Sequence, residues 1–159
     1  MKKLLLTLTL VVCAFIYADA QPRAIGANVG YGASFSYQHN LGEANFLDIN
    51  VDLPGFEAIG ASCTYDWINP FNTSIPWEYK GSWNWSLGVG AGAGFGFSGW
   101  GYAGVVGHCG VSYDFWFPLQ LSVDYRPNVG VDFNRGDNDG IFYGSGLFSG
   151  VTVGVRYRF

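Results

Sequence analysis

The sequence predicts an all-β fold, an eight-stranded antiparallel up-and-down β-barrel that crosses a membrane with its strands. Two observations favour it. Apolar and polar residues alternate with period two through most of the chain, as they do in strands with one face in each environment. The composition is rich in glycine, with 24 residues, and only 13% charged, whereas a typical soluble domain is about 25% charged.

The length and charge of the chain restrict the remaining possibilities. A chain of 159 residues accommodates one domain. Its net charge of −4 and its few basic residues exclude a polybasic surface for nucleic acid, so no nucleic-acid partner is expected.

The first twenty residues are predicted to be a signal peptide. Lys2 and Lys3 precede an apolar stretch, residues 4–17, which is too short for a membrane-spanning helix, and Ala18 and Ala20 supply the small residues of a cleavage site. Residues 1–20 are therefore assigned to export, with cleavage after Ala20, and residues 21–159 to the barrel domain.

The alternation is clearest near the carboxyl end of the chain, where residues 147–159 place apolar side chains on one face and small or charged ones on the other. Seven further segments show the same pattern, although Pro76 and Pro127 leave open whether bulges interrupt two of them. The eight predicted strands are 24–38, 45–53, 57–67, 74–80, 83–97, 102–116, 119–133 and 147–159.

Which face is inside decides between a soluble barrel and a membrane barrel. Most strand glycines lie on the polar face, where they suit the crowded interior of a narrow barrel better than a wetted outer surface. The polar face is therefore predicted to line the lumen, where its charges pair. The predicted lumen network is Asp48, Asp52, Asp66, Glu78, Lys80, His108, Asp114, Asp124, Arg126, Asp132, Arg156 and Arg158.

The breaks between the predicted strands alternate between tight turns and longer polar segments. The tight turns at residues 54–55, 81–82 and 117–118 are expected on the periplasmic side with both termini, and the longer segments outside. Two aromatic rings on the apolar face are expected to mark the two membrane interfaces. The periplasmic ring is predicted to contain Trp83, Trp85, Phe115, Tyr157 and Phe159, and the outer ring Tyr37, Trp67, Phe95, Phe97 and Phe133.

A family resemblance supports this interpretation. The ending of the chain resembles the carboxyl-terminal assembly signal of Gram-negative outer-membrane barrels, in which alternating apolar residues lead to a terminal Phe. The residues that carry it are Val151, Val153, Val155, Tyr157 and Phe159. Residues 83–127, with Trp83-Asn84-Trp85, the glycine repeat 88–96 and the segments 118–122 and 124–127, resemble the OmpA/OmpX-like superfamily.

The resemblance implies an outer-membrane location. It implies contacts with outer-membrane lipid and lipopolysaccharide, and with the barrel-assembly machinery. The superfamily includes adhesins, ligand binders, stress proteins and a few lipid-modifying enzymes, so the resemblance specifies a fold and no activity.

No motif for catalysis, metal binding or a cofactor emerges. His108, Ser112 and Asp114 share one strand face, but residues four apart on a strand are separated by about 13 Å, too far for a hydrogen bond within a triad. The polar segment 134–140 contains Arg-Gly-Asp and an acidic cluster, but it lacks the spacing and the closing Glu of an EF-hand loop.

The expected function is therefore non-catalytic, a structural or surface-interaction role through the outer loops, with an extracellular ligand that the sequence does not identify. A narrow passive channel for small solutes is the alternative, and a lipid-modifying enzyme comes third. Cys63 and Cys109 are predicted to face lipid on non-adjacent strands and to remain free thiols.

Overall fold

The computed structural model describes residues 22–71, 80–133, 140–143 and 150–159. These residues form ten strands in a single antiparallel sheet, in which each strand pairs with its neighbours and β1 pairs with β10 to close the ring. The strands are β1 (Pro22–Gly30), β2 (Gly32–Asn40), β3 (Asn45–Pro54), β4 (Ala58–Pro70), β5 (Gly81–Gly96), β6 (Gly101–Phe115), β7 (Leu119–Tyr125), β8 (Asn128–Phe133), β9 (Gly140–Tyr143) and β10 (Val151–Arg158).

The ten strands make a wall of eight, so the predicted eight-stranded antiparallel barrel is confirmed. β7 and β8 both pair with β6 in one continuous register and together form the seventh wall strand. Pro127 separates them without shifting that register, and its carbonyl still accepts from the Gly107 amide at 2.7 Å. β9 pairs with β8, and β10 pairs with β7 and β1, so these two form the eighth wall strand.

The register fixes the shear of the barrel. Following the pairing from Asn28 through β2, β3 and β4 leads to Gly94 of β5. Following it the other way, through β10, β7 and β6, leads to Asn84 of the same strand, ten residues away. For eight strands about 4.8 Å apart, a shear of ten tilts the strands by about 40° and gives a backbone radius of about 8 Å.

Two of the predicted strands are wrong, although their number is right. Residues 24–38 are two strands, because the chain reverses at Tyr31 and Val29 pairs with Ala33. In the wall, no strand lies between β4 and β5, where the segment 74–80 was predicted, because β4 pairs directly with β5 along the length of β4. Residues 74–79 of that segment lie outside the described residues.

These two differences change the side on which the connections before β5 lie. We call the end where β1 begins and β10 ends the terminal end, and the opposite end the far end. Tyr31, residues 55–57 and residues 97–100 lie at the far end, whereas residues 41–44 and 116–118, with the end of β4 and the start of β5, lie at the terminal end. The predicted separation of tight turns from longer segments is therefore wrong, since the turn after Pro54 lies opposite the termini and residues 41–44 lie beside them.

The barrel is polar inside and apolar outside. Along β3 and β7, buried polar side chains alternate with exposed apolar ones, for example Asp52 beside Val51 and Asp124 beside Val123. The exposed apolar residues in the middle of the wall include Ile49, Val51, Leu87, Val89, Val105, Val123, Val129, Val153 and Val155. In the described part of the chain, no helix is long and apolar enough to cross a membrane.

Aromatic side chains concentrate towards the two ends of the outer surface. Five of them lie at the terminal end: Trp83, Tyr113, Phe115, Tyr157 and Phe159. The ring centroids are about 5 Å apart in the pairs Trp83–Tyr113, Tyr113–Phe115 and Tyr157–Phe159. Tyr37 and Trp67 belong to this end as well, near the ends of β2 and β4, so their predicted place in the other ring is wrong. Phe95, Phe97 and Phe133 lie at the far end, where Tyr31 and Phe56 join them.

Candidate functional site: the polar interior

Polar side chains from all eight wall strands meet inside the barrel. The glycine-rich half of β5 contributes none of them. Asp48, Asp52, Asp66, His108, Asp114, Asp124, Arg126, Asp132 and Arg156, all predicted for the lumen, are buried there. With them lie buried uncharged partners: Asn28, Ser34, Ser36, Gln38, Asn50, Ser62, Thr64, Asn84, Gln120, Ser122 and Asn128.

The glycines of β5 make room for this network. A Cβ on Gly88 would collide with the Asp66 carboxylate, and one on Gly90 with the backbone of Cys63 and Thr64. On the opposite wall, a Cβ on Gly154 would meet Ser122 and Asn28. A larger residue at Gly90 would therefore require the neighbouring strand to move, whereas at Gly88 and Gly154 it would first displace side chains of the network.

Arg156 of β10 is the centre of the network. Its Nε donates to Ser36 at 3.0 Å, and its two terminal nitrogens donate to side chains of β1 and β7. Asp124 accepts at 3.0 Å and Asn28 also at 3.0 Å, so one guanidinium joins strands on both sides of β10 across the interior. The remaining contacts are with Gln120 at 3.3 Å, Ser122 at 2.5 Å and Asp48 at 4.0 Å.

His108 of β6 extends this network towards β4. Its Nε2 lies 3.2 Å from Asp124 Oδ1, and its Nδ1 lies against Asp66 Oδ1. A neutral imidazole carries one N–H, so the ring donates to both carboxylates only as the imidazolium. Thr64 donates to Asp66 at 2.6 Å and Ser122 to Asp124 at 2.6 Å.

Asp66, His108, Asp124 and Arg156 thus form a continuous chain of charge-assisted contacts across the lumen. Such contacts are short and directional, so they hold the side chains in fixed places. All four residues are 5% exposed or less, so in a barrel with a backbone radius of about 8 Å they leave little room for water at this level of the lumen.

Arg126 and Asp52 form a second pair nearer the far end. Arg126 lies between β7 and β8, and its two terminal nitrogens contact the two carboxylate oxygens at 2.6 and 3.2 Å. Ser62 completes the pair, with its hydroxyl 3.4 Å from both partners. This fork-to-fork geometry spans the lumen from the seventh wall strand to β3.

Apolar side chains close the far end of the interior. Tyr102, Val106 and Ala58 pack together, with Trp100 against them, and the Tyr102 hydroxyl donates to Asn128 at 3.1 Å. Asp132, paired in register with Tyr102, is buried beside them. The sequence pattern did not single out this cluster, because one tyrosine and one valine on a polar face give no distinctive signal.

At the terminal end, Asp114 is shared among four side chains. Asn84 donates to it at 3.1 Å and Gln120 at 2.7 Å, while Arg158 and Arg23 lie at 3.4 and 3.8 Å. Arg23 was missed by the sequence reasoning. The alternation of β1 places residue 23 outside, but the register shifts between Pro22 and Ala24, and such a bulge redirects a side chain.

Two predicted members of the network are not placed in it. Lys80 is exposed and lies just before the start of β5, at the terminal end. Glu78 lies outside the described residues. Arg158 is inside but only partly buried.

The contacts of His108 differ from those of a hydrolytic triad, in which one ring nitrogen faces a serine hydroxyl. Both ring nitrogens of His108 face carboxylates. Ser112 lies four residues further along β6, and Gly110 stands between the two on the same face. Within the described residues, no group of three or more His, Cys, Asp or Glu side chains is arranged to hold a metal ion. The segment 134–139, with Arg-Gly-Asp, lies outside those residues.

The residues of the predicted assembly signal are all exposed on the outer face of β10 and just beyond it: Val151, Val153, Val155, Tyr157 and Phe159. Cys63 and Cys109 are free and lie on β4 and β6, with β5 between them. Each faces a β5 residue across its own ladder, Ala91 and Leu87 respectively.

No family model, curated protein or solved structure matches this chain.

Proposed function

We propose that this protein is an integral outer-membrane β-barrel, similar to the OmpA/OmpX-like proteins, with a closed polar interior and a structural, non-catalytic role. The observation that carries the proposal is the inverted distribution of polarity, with charged side chains buried in the lumen and valine, leucine and isoleucine exposed around the wall. A soluble barrel would expose its charges and bury its aliphatic residues, whereas a membrane barrel does the reverse.

The dimensions of the outer surface support the same proposal. Trp83 and Phe95 stand at opposite ends of the outward face of β5. Twelve residues of strand tilted by about 40° separate them by about 30 Å along the barrel axis, close to the thickness of a bilayer hydrocarbon core. Aromatic residues at both limits of an aliphatic band are typical of the two interfaces.

The filled interior disfavours the alternative, a passive channel. The chain of contacts through Asp66, His108, Asp124 and Arg156 crosses the lumen at mid-height, and the Arg126–Asp52 pair crosses it again nearer the far end. A solute would have to break buried ion pairs to pass, and breaking one such pair costs about 3–5 kcal/mol.

Within the part of the chain that the structure describes, the connections at the far end are short, which favours a structural role over recognition by these turns. With periplasmic termini, the far end faces outward, and its described connections are Tyr31, residues 55–57 and residues 97–100. Turns of this length present little surface to a partner, since a specific protein interface needs about 800 Å² on each side.

The test combines location with conductance. Expressed with its first twenty residues in a Gram-negative host, the protein should fractionate with the outer membrane. Unheated samples should migrate differently from boiled ones on a denaturing gel, because a closed barrel has no free strand edge at which to unfold. The same preparation, added to planar bilayers, should give no steps of ionic current.

A soluble periplasmic product that migrates identically before and after heating would contradict the membrane proposal. Defined current steps from a heat-shifted sample would instead contradict only the closed interior and restore the channel.

A further inference from the structure

At the terminal end of the lumen, two arginines share one carboxylate. Arg23 and Arg158 both approach one carboxylate, Asp114, at 3.8 and 3.4 Å. That carboxylate already accepts from two amides, Asn84 on Oδ2 and Gln120 on Oδ1. We call the group formed by Arg23, Arg158 and Asp114 the arginine mouth.

Both arginines have a donor without an acceptor. The Nε atoms of Arg23 and Arg158 are buried and have no hydrogen-bond partner among the described residues. A buried donor without a partner costs about 1–3 kcal/mol, more for a charged group, so two of them at one place favour a further acceptor. With two guanidinia and one carboxylate, the arginine mouth carries one net positive charge.

The arginine mouth is held in place and open to one side. The guanidinium carbon of Arg23 lies over the ring of Phe46, 5.1 Å from its centroid. The side chain of Arg23 is 12% exposed. The side chain of Arg158 is 35% exposed, and Ser82, which pairs in register with Asp114, is exposed at the same end. A ligand can therefore approach the partly exposed guanidinium side chains from the terminal end, and it reaches the two buried Nε–H groups only if these side chains shift.

We infer that the arginine mouth binds one oxyanion group, a phosphate or phosphate monoester or diester, between Arg23 and Arg158. Guanidinium groups recognise such oxygens with paired, charge-assisted hydrogen bonds. The phosphate can come from two sources, a free phosphate in solution or the headgroup of an anionic lipid. The second source rests on the proposed membrane location, which brings the terminal ring of aromatic residues to the headgroup level.

The experiment follows the two Nε–H resonances by NMR of the refolded, isotope-labelled full barrel, with inorganic phosphate as the probe in a non-ionic detergent. Sodium chloride at equal ionic strength is the reference titration. Phosphate should shift both resonances saturably, and chloride should not. Arg158→Gln and Arg23→Gln should each weaken phosphate binding about tenfold or more, and Lys80→Gln, which removes an exposed cation at the same end, should leave it unchanged.

A second arm places the barrel in nanodiscs of phosphatidylcholine, with or without phosphatidylglycerol and without added phosphate. Shifts that require phosphatidylglycerol identify the headgroup as the source, and shifts only with inorganic phosphate identify the free anion. The wild-type titrations need no variant, so a misfolded variant does not decide the outcome. The absence of saturable shifts in both arms, or equal weakening by Lys80→Gln, would overturn the inference.

Discussion

Replacing Arg156 with methionine should destabilise the barrel strongly, because Met keeps most of the aliphatic stem and removes the charge at the centre of the network. The variant loses five donated hydrogen bonds, to Ser36, Gln120, Ser122, Asn28 and Asp124. It leaves two carboxylates, those of Asp124 and Asp48, without their arginine.

The size of the effect follows from what each carboxylate retains. Asp124 keeps His108 and Ser122, and Asp48 keeps Ser36, so the cost should lie near the lower end of the range of about 3–5 kcal/mol for a broken buried pair. We therefore expect Arg156→Met to lower the free energy of unfolding by about 3 kcal/mol, which is more than a hundredfold in the unfolding equilibrium.

The assay is reversible urea unfolding of the barrel in lipid vesicles, followed by tryptophan fluorescence and checked for two-state behaviour. Arg158→Gln is the matched control, because it removes a partly exposed arginine from the same strand and should cost about 1 kcal/mol or less. An Arg156→Met variant no less stable than Arg158→Gln would refute the view that the central guanidinium holds the interior together.

Three further outcomes follow from the wall of the barrel. Cys63 and Cys109 should react faster with a lipid-soluble maleimide than with a charged one in intact vesicles, and a disulfide between them, detected by mass spectrometry, would contradict the strand order. Gly90→Leu should prevent formation of the heat-shifted species on gels, since its Cβ would collide with backbone, whereas Gly42→Leu, with open space around it, should fold normally. Deleting Phe159 should reduce the amount that reaches the outer membrane, and an unchanged membrane yield would remove its role as an assembly signal.

The facing of the wall strands could be predicted from sequence because period-two alternation reports directly on the two faces of a strand. The reversal at Tyr31 could not. Val29 and Ala33 pair across it, so the turn has an odd number of residues between them and the alternation continues unbroken through it. Alternation shows only which face odd- and even-numbered residues occupy, so it does not distinguish this hairpin from one long strand.

Which side chains contact one another inside the lumen could not be predicted from the sequence either. Alternation places Asp52 and Arg126 on the same face, but whether they meet depends on the shear, which is set by the register of every ladder in the ring. The same holds for Arg156 and Asp124. Arg23 was hidden for a different reason, since a single bulged residue reverses the facing that alternation assigns to it.

The central claim, that the apolar outer face of this barrel contacts lipid, is tested most directly by spin labels on adjacent residues of β7 and β10 in vesicles. Labels at Val123 and Val153, which are exposed, should be relaxed strongly by oxygen dissolved in the acyl chains and weakly by a water-soluble nickel complex. Labels at the neighbouring buried positions Ser122 and Gly154 should show little oxygen relaxation wherever the variant folds. The reverse pattern at Val123 and Val153, with strong relaxation by the nickel complex, would contradict the account.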